Sequence, residues 1–180
     1  MSTTATGSLS LALQAAAFTL ADVTAFRTFC GVSTQADARA KIHYGWLPKP
    51  DSWKEGYTLD ENRTNWPFAI LAVDEATWEK ADGSSYEAAG RTRLLIEREL
   101  PDDPSDADVY LDMLNHIGQI VTGLCDNAIA AESGDGTVAY FQFSDAVLVQ
   151  PPARASDDEE GSTGIRQWAV VELSFEHAVA

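Results

Sequence analysis

The side chains that could perform acid–base or metal chemistry are few and widely separated. The histidines His43, His116 and His177 never occur in the HxH or HxxxH spacing that is typical of metal sites. Asp112 and His116 stand four residues apart, so they would touch on a helix, and Asp126 lies further along the same segment. No Walker loop, GxGxxG turn or GxSxG elbow accompanies them. We therefore expect no catalytic, cofactor-binding or metal-ligating residue and no cofactor.

The densest group of carboxylates is the run Asp157, Asp158, Glu159 and Glu160. It lies in a polar stretch, 153–164, that the pattern predicts to be an acidic hairpin loop. The run lacks the alternating acids and central glycine of an EF-hand calcium loop. Adjacent carboxylates in water repel one another and have no environment that separates their pKa values. We expect a solvated acidic surface there.

The composition excludes several function classes. The chain has 180 residues, 45% of them hydrophobic, and a formal net charge of −16. This length predicts one domain, 1–180. The charge disfavours binding to phosphate backbones or to anionic lipid. No apolar run reaches membrane-helix length, and the first basic residue is Arg27, so we expect neither a membrane span nor an export signal. Cys30 and Cys125 form no CxxC pair and are predicted to be small buried hydrophobes.

Apolar spacings of three and four predict the helices that would position these groups. An N-terminal helix is expected over 11–31 with Gly31 after its end, and a short helix over 34–40. A long central helix is expected over about 105–131, because Ser105 is a good N-cap before a sustained apolar stripe. Gly118 and Gly123 within it suggest close packing.

Alternating or continuous apolar runs predict strands over 42–47, 68–73, 92–100, 138–150 and 165–177. The run 68–73 is apolar at consecutive positions, which is typical of a strand covered on both faces. The segment 77–89 is a strand edge or a hairpin that turns at Asp82-Gly83. A bulge is expected near Asp145, and Pro151-Pro152 should end their strand. The fold class is therefore α+β: a mostly antiparallel sheet of about five strands packed against an N-terminal helix and one long central helix.

The connection 48–66 is longer than most connections in compact domains and carries Trp53 and Tyr57. Such an extended arm either docks on a neighbouring molecule or folds back over its own core, and the sequence favours neither. Trp53, Tyr57 and Trp78 are the candidate subunit-interface residues.

Four stretches together resemble a known protein family. They are the helix end Ala25–Val32, the strand Ile42–Tyr44 with its arm through Trp66–Leu71, the strand Arg91–Leu100 before Asp102-Asp103-Pro104, and the closing strand Gln167–Phe175. With these elements the chain resembles the tail terminator (tail completion) proteins of long-tailed bacteriophages. Neck and head–tail connector proteins are close alternatives.

The resemblance implies a virion protein of the tail or neck, assembled in the host cytoplasm. Its subunits form a homo-oligomeric ring, commonly a hexamer, which caps the tail tube, stops polymerisation and joins the head–tail connector or stopper protein. DNA passes through such a ring without specific binding. The acidity fits this passage, because six copies at −16 each bring together a formal charge of about −96, which repels phosphates within a Debye length. Another head–tail joining or minor tail protein, and an acidic binding or inhibitor module, remain alternative interpretations.

Overall fold

The structure is a computed structural model that describes residues 8–45, 67–82, 85–100, 106–126, 129–132, 138–156 and 165–179. The helices are α1 (Ser8–Asp22), α2 (Thr24–Phe29), α3 (Gln35–Arg39) and α4 (Asp106–Asp126). The strands are β1 (Ile42–Tyr44), β2 (Phe68–Asp82), β3 (Ser85–Leu100), β4 (Ile129–Glu132), β5 (Val138–Ser156) and β6 (Ile165–Val179).

The predicted N-terminal helix is divided in two at Val23. Val23 adopts an extended conformation, with φ −64° and ψ 116°, between α1 and α2. The second half ends as predicted: Gly31 has a φ of +66°. Val32 N donates to Arg27 O and Gly31 N donates to Thr28 O, which is the Schellman pattern that favours glycine. The short helix α3 begins where Thr34 Oγ1 accepts a hydrogen bond from Asp37 N.

The strands form a six-stranded mixed sheet in the order β1-β2-β3-β6-β5-β4. β1 pairs with β2 in parallel, and each of the other neighbouring pairs is antiparallel. β6, the last of the described strands in sequence, lies in the interior of the sheet between β3 and β5. The α+β class is confirmed, and the predicted count of about five antiparallel strands is only roughly right.

Two predicted ends, that of the central helix and that of the strand before Pro151-Pro152, differ from the structure. The predicted central helix ends at Asp126 instead of continuing to 131, and the residues after it include β4, which pairs with β5. The prediction that Pro151-Pro152 end their strand is wrong, because β5 continues to Ser156. The ladder to β6 is irregular between Gln150 and Ala153, so the prolines occupy positions where no N–H is needed. The expected bulge near Asp145 is confirmed by the register shift between Phe143 and Ala146.

The described elements form two layers, with helices against one face of the sheet. Residues alternate along the central strands between fully buried and partly exposed positions. The buried positions include Leu71, Leu94, Ile96 and Val171, each 0% exposed, and they belong to the same cluster as Leu20 of α1. The sheet face that carries these residues is called here the helix-bearing face. The alternation shows that the other face is not buried to the same extent.

Candidate functional site

The sequence pair Asp112 and His116 comes together on α4 as expected. His116 Nε2 lies 3.5 Å from Asp112 Oδ1, one helical turn away. The two side chains are 25% and 52% exposed, respectively. Asp126 does not join them, because it lies fourteen positions further along the helix, about 21 Å from Asp112 along the axis. The three residues therefore do not assemble into one site.

Arg98, which lies on a strand, also contacts Asp112. Arg98 of β3 reaches α4 and donates from Nη1 to Asp112 Oδ2 at 2.5 Å and from Nη2 to the backbone oxygen of Val109 at 3.2 Å. Arg98 and Gln167 are register partners on β3 and β6, so their side chains stand side by side. Gln167 Oε1 accepts from Arg98 Nε at 3.0 Å and from Nη2 at 2.9 Å. We call Arg98, Asp112, His116 and Gln167 the Arg98 cluster.

The Arg98 cluster is largely shielded from water on its sheet side. Gln167 is 2% exposed, and its Nε2 donates to Val109 O at 3.3 Å. The ring of His116 meets Phe29 of α2 edge to face, with centroids 5.4 Å apart. The cluster therefore ties the sheet to the first turns of α4 and ties α4 to α2.

The chemistry available to the Arg98 cluster is limited. Asp112 is shared between the guanidinium of Arg98 and the imidazole of His116, so its carboxylate is already engaged. Acid–base catalysis requires a group within reach of a bound substrate's proton. The cavity of the described residues lies between α1, α3 and β1, and none of the Arg98 cluster lines it. We interpret the cluster as a structural clamp.

Sequence reasoning missed Arg98 and Gln167, although a signal was present. Arg98 has the same strand parity as the inward-facing Leu94 and Ile96, and Gln167 has the parity of Ala169 and Val171. A charged and an amide side chain at core positions require buried partners, so this parity could have marked each of the two residues as a buried polar group that needs a partner.

A cavity of about 450 Å³ lies between α1, α3 and β1, with Arg39 and Tyr44 among its lining residues. The Arg39 guanidinium stacks 3.5 Å above the centroid of the Phe18 ring. Burial raises the pKa of the Tyr44 hydroxyl, and the charge of Arg39 and its hydrogen bond partly offset that rise. A cation and a phenol at a cavity are suited to holding an anionic group.

Several described arginines are matched by carboxylates. Arg93 Nη2 lies 3.0 Å from Asp74 Oδ1 and 3.6 Å from Glu172 Oε1, and Arg91 lies 4.0 Å from Glu172. On the helix side, Arg27 lies 3.7 Å from Asp22. Together with Arg98 and Asp112, these pairs neutralise positive charge that would otherwise attract phosphates.

The remaining sequence candidates fall mostly outside the part of the chain that the structure describes. Trp53, Tyr57 and the acidic run Asp157, Asp158, Glu159 and Glu160 all lie outside it. Trp78 lies in β2, where its backbone position is opposite Ala88 of β3. Their assignment to an interface or to an acidic surface stays a prediction.

The described residues hold neither a cluster of metal ligands nor a helix that could span a membrane. They contain no group of three or more His, Cys, Asp or Glu side chains placed to hold a metal ion. No helix among them has the length and apolarity needed to cross a membrane.

Comparison with known proteins assigns no family to the chain. No family model matches it, and neither does any curated protein.

Proposed function

We propose that the chain is a structural ring subunit that caps the tail tube of a long-tailed bacteriophage and joins the tail to the head connector. In this role the protein stops tail polymerisation and presents a surface to the connector or stopper protein. It performs no reaction. Its partners are further copies of itself, six in the ring as the resemblance implies, the tail tube protein and the connector.

The observation that carries the proposal is the pairing of described arginines with carboxylates. A channel wall that passes DNA must not hold the phosphate backbone, and lysines and arginines free to release counterions would do so. Arg27, Arg91, Arg93 and Arg98 all lie within 4.0 Å of a carboxylate, and the chain as a whole carries a net charge of −16. This favours a surface from which DNA slides freely.

The Arg98 cluster also favours a structural role. The strongest pair for acid–base chemistry, Asp112 and His116, is joined to Arg98, which holds the sheet against α4. The cluster fixes the position of the sheet relative to α4. A subunit that contacts two neighbours in a ring needs such a fixed arrangement of its layers.

The net charge also favours a second candidate, an acidic module that binds and inhibits a basic DNA-binding protein. Such a mimic would present carboxylates at the spacing of phosphates along one surface. Several described carboxylates are instead engaged by arginines, including Asp74, Asp112 and Glu172. The ring subunit is therefore preferred.

The test is the assembly state of the purified full chain, alone and with tail tubes. Light scattering after size exclusion should give about 117 kDa for six copies of the 19.5 kDa chain, and electron microscopy should show annular particles. The chain should also bind to one end of purified tail tubes and not retain double-stranded DNA at low salt. A monomer that neither forms rings nor binds tubes overturns the proposal. Stoichiometric capture of a basic nuclease or repressor by that monomer selects the inhibitor instead.

A further inference from the structure

The sheet face opposite the helices carries a row of apolar side chains. We call it the open sheet face, and on three neighbouring strands it includes Ile70, Leu95, Trp168 and Val170, each only partly buried. Ile70, Leu95 and Val170 are register partners, so their side chains form one row across β2, β3 and β6. A contiguous apolar row on a sheet face marks a surface that is suited to contact with another segment or molecule.

The connection between β1 and β2 is the first clue to that segment or molecule. The two strands are parallel neighbours, with Ile42 opposite Ala69 and Tyr44 opposite Leu71. A chain that leaves the end of β1 must return along the sheet before it can enter β2 in the same direction. In sequence, the 21 residues 46–66 connect the described end of β1 to the start of β2.

The hydrogen bonds between β1 and β2 decide which face the return crosses. Ala69 N donates to Lys41 O at 2.9 Å and Gly45 N donates to Leu71 O at 2.7 Å, so the backbone groups of Ala69 and Leu71 point towards β1. Their side chains lie on the helix-bearing face. For L-residues this combination places β1 to the left of β2 when the sheet is viewed from the open face with both strands pointing up. A connection that crosses in front of the open face from left to right is right-handed.

The handedness of the connection from β1 to β2 decides which face of the sheet it crosses. Connections between parallel strands of one sheet are right-handed in about 98% of cases. A crossing on the helix-bearing face would be left-handed and would also compete with α1 and α3 for the same surface. The rule and the packing therefore select the open sheet face.

Phe68 provides an independent observation. It shares the open sheet face with Ile70, because both alternate with the core residues Ala69 and Leu71. Yet Phe68 is only 2% exposed, and the ring of His43 stands edge to face against it at 6.0 Å. The open face is therefore already shielded from water at the point where the chain enters β2.

We propose that the open sheet face is the docking surface for the chain's own residues 46–66. The sequence of this segment suits the surface, since it carries Trp53, Tyr57 and Trp66 for an apolar row and prolines that reduce the entropy lost on ordering. The inference is independent of ring formation. It selects the intramolecular alternative for the arm and removes Trp53 and Tyr57 from the candidate subunit interface.

Intramolecular cross-linking tests the proposal. The background is the full chain with Cys125→Ser, in which the remaining thiol, Cys30, is buried. Val170→Cys on the open sheet face is combined with Tyr57→Cys and treated with a short bismaleimide. The matched control combines Tyr57→Cys with Gln119→Cys, which is exposed on α4 in the other layer. We expect cross-linking within single chains for the Val170 pair and not for the Gln119 pair.

A second measurement uses single substitutions and so does not depend on the double variants folding. The thiol of Val170→Cys should react with a small maleimide at least about tenfold more slowly than that of Gln119→Cys, because a covered site reacts only after local opening. Cross-links between chains only would show that a second copy occupies the face. Cross-linking between chains only would overturn the proposal. Equal cross-linking of the Val170 and Gln119 pairs, or equal labelling rates of the two single variants, would also overturn it.

Discussion

Gly123 of α4 lies directly against the side chain of Val23, and a Cβ placed on Gly123 would come within 2.7 Å of Val23 Cγ1. Val23 is the extended residue between α1 and α2 and is 5% exposed. The absence of a side chain at Gly123 therefore allows the long helix to approach the break in the N-terminal helix.

Substituting Gly123→Ala should destabilise the protein, although alanine is the better helix former. The new methyl group meets a β-branched side chain with little rotamer freedom, and overpacking of this kind costs about 1–3 kcal/mol against a gain in helix propensity of about 1 kcal/mol. Urea unfolding would measure the difference. Gly118→Ala is the matched control, because nothing lies within 4 Å of the added atom, so it should stabilise the protein by about 0.5–1 kcal/mol. Equal stabilisation by both changes would contradict the close approach.

Substituting Arg98→Met should be among the more damaging single changes on the sheet. The Arg98 side chain is 14% exposed, and its loss leaves the buried Gln167 oxygen without two donors. We expect a loss of about 2–3 kcal/mol in the free energy of unfolding. Arg91→Ala should cost under about 1 kcal/mol, because Arg91 is 56% exposed and its partner oxygen is 4.0 Å away. Similar losses for the two variants would show that the Arg98 cluster is no clamp.

Stability should fall with acidification partly through His43. Burial, followed by the nearby charge of Lys41, lowers the pKa of the His43 imidazole below its ordinary value of 6.5. The folded protein thus binds a proton less readily than the unfolded chain does. This contribution is fully present above pH 6.5 and is lost as the pH falls from there towards the folded pKa. Unfolding free energies measured from pH 7.5 to 5 should decline less steeply for His43→Gln than for the unsubstituted chain. His116→Gln serves as the comparison, and identical slopes for His43→Gln and the parent would refute the assignment.

The two cysteines should differ in reactivity. Burial raises the pKa of the Cys30 thiol to about 12, whereas Cys125 is only half-buried. Since the thiolate is the reactive form, a disulfide reagent at pH 8 should titrate one thiol in the folded protein and two in urea. In the Cys125→Ser variant, the reagent should titrate no thiol in the folded protein and one thiol in urea. Rapid reaction of Cys30 in that folded variant would contradict its burial.

Local signals identified several elements correctly. The apolar stripe placed the long helix, and the glycine at 31 placed the end of α2 because its left-handed conformation is costly for other residues. The break at Val23 could not be foreseen, since the apolar spacing continues through it. Its reason is tertiary: the packing of Val23 against Gly123, a hundred residues away.

In the candidate site, too, local contacts could be predicted from the sequence and long-range contacts could not. The contact between Asp112 and His116 follows from helical spacing and was predictable. Arg98 joins them only because the register of β3 and β6 brings it beside Gln167, and that register depends on strands far apart in the chain. The parallel pairing of β1 could not be predicted either, because a three-residue strand carries too little pattern to specify a neighbour.

The interior position of β6 has a consequence for how the molecule is made. Before this strand is synthesised, the β2–β3 and β4–β5 pairs share no strand, and β3 and β5 each have an unpaired edge. When β6 enters, it joins both at once and brings together groups such as Thr92 and Leu173, 81 residues apart. β6 therefore joins the two halves into one sheet through contacts between residues that are far apart in sequence.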